Sequence, residues 1–168
     1  HGKRHPFYIA HKIGCTNDGK LVALEAECLS DGGAYESTSA VVLSNAVSFM
    51  SGPYYCPVCR VDGYTVYTNN AIGMAMRGFG AAQAPVAYEL QMDQMARKLG
   101  MDPVEFRLRN VLMDGSERLT GNPMPVGTAA RECLTAVARA AGWTEQGGHW
   151  RKPDVGEPSV GYKRRGIG

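Results

Sequence analysis

Residues 8–29 read YIAHKIGCTNDGKLVALEAECL, and they decide the architecture. Asn17, Asp18, Gly19 and Lys20 tolerate the positive φ of a tight connection, and the apolar runs on either side suit antiparallel strands. In the second run Val22, Leu24, Ala26 and Cys28 alternate with Ala23, Glu25 and Glu27, so one face packs and the other meets water. Cys28 is thereby assigned to the core. Working outward, Asp31, Gly32 and Gly33 break the strand, and Ser39 to Met50 carries Val42, Ala46, Val47 and Met50 at helical spacing until Ser51, Gly52 and Pro53 stop it. Arg60 to Thr68 is rich in Val, Thr and Tyr and reads as a third strand.

The second half is helical. From Pro85 to Leu99, Tyr88, Met92, Met95 and Leu99 form a stripe that Gly100 ends. Asp102, Pro103, Val104 and Glu105 supply an N-cap, a proline at the first helical position and a carboxylate at the third, so another helix runs to about Val111. Thr128 opens one more, with Leu134, Val137, Ala138 and Ala141 on one face and Gly142 at its end. The fold class is α+β: a small mixed or antiparallel sheet packed with helices.

With 168 residues and 44% apolar content, residues 1–168 form a single domain-sized unit. The 18 Lys and Arg against 16 Asp and Glu are too even for nucleic acid or an anionic membrane as main partner, and no apolar run approaches the length of a membrane span. The start at His1 carries neither an initiator Met nor a signal core, and residues 161–168 resemble the approach to another strand. The expectation is a piece of a longer chain, with 150–168 as the connection to the next segment. Five cysteines, an odd number placed in strand and helix patterns, fit a reduced, cytoplasmic protein.

Arg77, Gly78, Phe79 and Gly80 follow the third strand and precede the Pro85 helix. A cation, an aromatic ring and two residues without side chains at a helix mouth suit an anionic, planar ligand, because glycine permits close backbone approach and a helix start leaves N–H donors unpaired. Two other readings of the loop fail on spacing. Ala81, Ala82 and Gln83 end the match to an RNA-reading strand, and Gln83 stands where a dinucleotide fingerprint needs a third small residue. Cys56, Pro57, Val58 and Cys59 have the spacing of a redox pair or half a zinc site. They precede a strand, not a helix, and a zinc site would need Cys15, Cys28, His5 or His11 to join them. A non-catalytic zinc- or thiol-containing binding domain is therefore the alternative function. Glu25 and Glu27 read as a wet strand face, Glu105 as a cap and Glu89 as a buried or loop-tethering partner, so no general base emerges.

The segments Gly32 to Tyr35, Gly52 to Tyr54 with Arg60, Val66 to Asn69 and above all Ala75 to Gln83 resemble the molybdopterin-binding subunit of the xanthine dehydrogenase and aldehyde oxidase family. Gly2 to Pro6 and Gly100 to Asn110 extend the likeness over nearly the whole chain. The resemblance implies an internal part of a molybdenum cofactor-binding domain. It implies Arg77, Gly78 and Gly80 at the molybdopterin, in its simple or its dinucleotide form, and Phe79 stacking on a flat substrate. It further implies iron–sulfur and FAD subunits or domains as partners beside the remainder of the molybdenum subunit. The implied reaction hydroxylates an aldehyde or a carbon next to nitrogen in a heteroaromatic ring, with oxygen from water. No residue matches the family's catalytic glutamate, so the piece alone is expected to be inactive. Where purine-oxidising members carry an arginine, this chain has Asn45, which a neutral amide makes a weaker partner for developing negative charge. The expected substrate is therefore another azaheterocycle, an aromatic acid or an aldehyde, with Asn45 beside it.

Overall fold

The computed structural model describes residues 2–154 and 166. Its first feature is the expected hairpin: β1 (Phe7–Cys15) pairs antiparallel with β2 (Leu21–Gly33) around Gly19, whose φ of 84° is the left-handed value the turn needs. Alternation holds from Leu24 through Cys28, and Cys28 is fully buried. Val22 departs from it. The register shifts between Gly14 and Cys15, which turns Leu21 inward and leaves Val22 on the solvent side.

β2 also outruns its expected end. Gly33 continues the pairing after a register shift that skips Gly32, because Gly33 can take φ 75° and still accept from Thr68 N–H. Helix α1 (Ser39–Ser48) then carries the chain back over the sheet, so β3 (Cys59–Tyr67) lies parallel to β2. The sheet is mixed, in the order β1-β2-β3. Met50 lies just past α1 and is fully buried.

Helix α2 (Ala84–Leu99) covers β1, and Gly100 closes it at φ 65°. Leu24, Ala26 and Cys28 pack with Leu43, Met50 and Ala84, and Phe7, Ile9, Ile13, Val47 and Val61 border them. α1 and α2 therefore share one face of the sheet. Helix α3 (Pro103–Asn110) starts as read: Asp102 accepts from Val104 N–H at 2.8 Å. Its last residue ties the hairpin turn to the helix. Buried Asn110 accepts from Leu21 N–H and donates to Gly19 O, both at 2.8 Å.

Two readings of the C-terminal third are corrected. Helix α4 (Ala130–Ala140) begins after Thr128, whose hydroxyl donates to Pro125 O and caps nothing, and Val137 is exposed. Leu134 and Ala138 make the packed face with Val104, Leu108, Trp143 and Trp150, where α4 meets α3 and the hairpin that follows. That hairpin, β4 (Thr144–Gln146) and β5 (His149–Arg151), is unannounced in the reading above, although Gly147 and Gly148 at φ 61° and 83° are a two-residue turn signal. β5 occupies the first residues assigned to the 150–168 connection; residues 155–165, 167 and 168 lie outside the described residues.

Candidate functional site

The loop between β3 and α2 turns left-handed three times in succession, at Gly78 (φ 89°), Phe79 (φ 47°) and Gly80 (φ 99°). Phe79 is the exception in chemistry. A bulky residue there is strained by roughly 1–3 kcal/mol, and such strain persists only where neighbours hold it. The neighbours are specific. A Cβ on Gly80 would run into the carbonyl of Val42, so the loop backbone sits directly on α1. From the same helix Asn45 Nδ2 donates to Phe79 O at 2.7 Å. From the N-terminal segment Arg4 Nη2 donates to Arg77 O at 2.6 Å.

Arg4 belongs to a strut that sequence reasoning missed. Lys3 bridges to Gly73, Met74 N–H donates to Lys3 O, and Gln83 Nε2 donates to His5 O at 3.4 Å. His5 is buried, and Ser39 Oγ donates to Glu36 O, so Ser39 accepts from His5 Nε2–H at 2.8 Å. Burial pushes the imidazole below its usual value, against an opposing pull from the Asp31 carboxylate. His5 is a neutral wedge. At the end of β2, Asp31 accepts from Thr68 Oγ1, Asn70 Nδ2 and Gly33 N–H, and these bonds hold its carboxyl below the usual range. The stretch from 68 to 83 is thus braced at both ends.

Arg77 is exposed, while the Phe79 side is half-buried. The N–H groups of Phe79, Ala81 and Gln83 donate inward to Met76, Gly78 and Gly80 carbonyls, so successive turns consume donors that a bare helix mouth would leave free. Arg77, Gly78, Phe79, Gly80 and Asn45 do come together; Asn45 meets the loop through its amide nitrogen. What they present is one solvent-facing guanidinium, a held aromatic and backbone with little side-chain cover. That surface suits an anionic ligand with a flat neighbour.

The carboxylates are otherwise engaged. Glu89 accepts from Tyr54 Oη at 2.9 Å and from Arg107 at 2.7 Å, which makes it the tether expected. Glu105 is not a cap. It is buried against Arg109, its i+4 neighbour on the helix, and against His149 and the Trp150 N–H, two contacts that its sequence neighbourhood could not announce. Among the described residues no three His, Cys, Asp or Glu side chains gather to hold a metal ion, so Cys56 and Cys59 lack the further ligands that the zinc reading requires.

Residues 1–111 match the model of the molybdopterin cofactor-binding domain. The chain is 44% identical to the nicotinate dehydrogenase large molybdopterin subunit of Eubacterium barkeri, over 83% of this chain and 33% of that protein. It is 39% identical to the aldehyde oxidoreductase of Megalodesulfovibrio gigas, over 71% of this chain and 13% of that one. The solved aldehyde oxidoreductase from Desulfovibrio gigas superposes with a TM-score of 0.79 at 34% identity, covering 83% of this chain and 15% of that chain. The chain therefore spans a third or less of the length of these relatives.

Proposed function

The chain belongs to the molybdopterin cofactor-binding domain family, and from that premise we propose that it is the part of a molybdenum hydroxylase in which the Arg77–Gly80 loop meets cofactor and substrate. The observation that carries the proposal is the strained Phe79, whose carbonyl Asn45 holds while Arg4 holds the Arg77 carbonyl of the same loop. Strain kept in place at a loop that displays a cation and an aromatic fits a binding role better than a packing role. When bound, the molybdenum cofactor supplies the redox chemistry that hydroxylates an aldehyde or a heteroaromatic carbon with oxygen from water. The chain's own work is orientation. Arg77 offers charge to the anionic part of the cofactor, exposed Gly78 lets the backbone come close, buried Gly80 keeps that backbone seated on α1 beside it, and Phe79 stacks on a flat substrate.

Asn45 bears on the choice of substrate. Its amide N–H is committed to Phe79 O, and α1 contains no Lys or Arg, so this helix brings no cation toward the substrate. An azaheterocycle, an aromatic acid or an aldehyde fits that surface better than an oxopurine, whose developing negative charge calls for one. The remainder of the molybdenum subunit would supply the catalytic carboxylate, and iron–sulfur and FAD partners would take the electrons. The 168 residues alone would then have no hydroxylase activity.

The test is made in the full-length complex. Arg77→Met should lower the molybdenum and pterin content of the purified enzyme, and the unchanged enzyme should oxidise nicotinate or simple aldehydes faster than xanthine. Full cofactor content in the variant would remove Arg77 from the cofactor site; faster oxidation of xanthine would remove the argument from Asn45.

A further inference from the structure

Cys56 and Cys59 take no part in the loop chemistry, yet their surroundings are those of a reactive pair. The two thiols lie close enough to shift each other's titration. Cys59 Sγ also lies 3.4 Å from Cys56 O, and Cys56 Sγ lies 3.5 Å from Val58 O, so one short loop holds both. Pro57 fixes one φ of that loop, and Val58 O is anchored by Leu24 N–H at 2.8 Å. Both cysteines are half-buried and face a cavity of 180 Å³ that Tyr55, Glu117, Arg118 and Gly121 complete. A small solute can reach them.

The two thiols affect each other unequally: the neighbouring Cys59 holds the Cys56 thiol below the usual range against the effect of burial, and Cys56 together with burial pushes Cys59 up. No helix dipole is needed, which is why a strand-side position does not exclude reactivity. Cys28 is the contrast: fully buried, it is pushed up to about 11 and is closed to solutes. Cys15 is likewise raised by burial.

We propose that Cys56 and Cys59 form a dithiol site that reacts with small-molecule disulfides and closes to a Cys56–Cys59 disulfide. The Cys56 thiolate attacks one sulfur of the small disulfide, forming a mixed disulfide and expelling one thiolate. Cys59 then loses its proton and attacks the Cys56 sulfur, which releases the second small thiol. Two protein thiols are oxidised, and one external disulfide is reduced to two thiols.

The full-length subunit, reduced and then exposed anaerobically to oxidised glutathione, tests this by peptide mapping after acid quench. The expected product is an internal disulfide in the peptide carrying residues 56–59, reversed by dithiothreitol. Cys59→Ser should stop at the glutathione adduct on Cys56. In Cys56→Ser, modification of Cys59 should be at least about tenfold slower than that of Cys56 in Cys59→Ser, since the attacking thiolate is gone. Cofactor content and the circular dichroism spectrum report whether each serine variant is folded. Adducts on Cys133 or Cys15 ahead of Cys56, or modification of Cys56 only in denaturant, would overturn the proposal.

Discussion

Phe79 is where one residue carries two separable properties, a ring and a strained backbone. Glycine adopts φ 47° without cost, whereas alanine keeps the strain and loses the ring. In the full-length enzyme Phe79→Ala and Phe79→Gly should therefore share the same kinetic defect, a fall in kcat/KM for a flat substrate. Phe79→Gly should nevertheless regain roughly 1 kcal/mol of stability relative to Phe79→Ala. Kinetics on two substrates and paired denaturation curves check this. Equal stabilities would mean that the loop relaxes when the ring is removed, and unchanged kinetics would refute stacking. The loop itself was legible because its cation, ring and glycines are adjacent in the chain. Its supports were not: Arg4 reaches Arg77 across 73 positions, and Asn45 reaches Phe79 across 34. The close seat of Gly80 on α1 brings Asn45 to the loop, and the Lys3–Gly73 bridge brings Arg4.

At the scale of elements, the same contrast separates hairpin and caps from docking. The Asn17-Asp18-Gly19 turn and the Asp102-Pro103 start encode their geometry in neighbouring residues, and both stand as read. The parallel seat of β3, and the His149 and Trp150 contacts that complete the Glu105 site, depend on partners far along the chain. Glu105 shows what such contacts do. Burial tends to raise its carboxyl, but hydrogen bonds from Arg109 and the Trp150 N–H, with the Arg109 charge, outweigh burial and hold it below the usual range. A depressed carboxylate stabilises the fold above its unfolded value of about 4.3, and that contribution is lost as pH falls through the lower folded value. Acid should therefore release the β4–β5 hairpin from α3. Glu105→Gln should be less stable than the parent at pH 7, by about 1–3 kcal/mol for a buried charge-assisted contact, and should lose less stability on acidification. Urea titrations at pH 7 and at pH 3, below the unfolded value, measure both; parallel losses in the two proteins would show that Glu105 is not the acid-sensitive group.

The whole molecule is a sheet covered on one face. α1 and α2 take the face that carries Ile9, Leu24 and Cys28. On the opposite face the register lines up Tyr8, Leu29 and Tyr64 across all three strands, exposed by 83%, 38% and 51%. The next rows change character: Glu27 and Asp62, then Lys12 paired with Glu25 beside Arg60. An apolar row spanning a sheet is sticky in water, while the charged rows beside it keep the remainder soluble. The net charge of +2 adds little colloidal repulsion. The 168-residue chain by itself should therefore self-associate as concentration rises. Tyr8→Lys with Tyr64→Lys should shift it toward monomer, because each lysine keeps an apolar stem on the sheet and places a charge at the contact. These positions lie outside the packed core, so the double variant should keep the helical and strand signal of the parent. Sedimentation velocity across a concentration series decides the matter: association unchanged by the two lysines would move the contact off this sheet face to other exposed apolar groups, such as Val86 and Leu90 of α2.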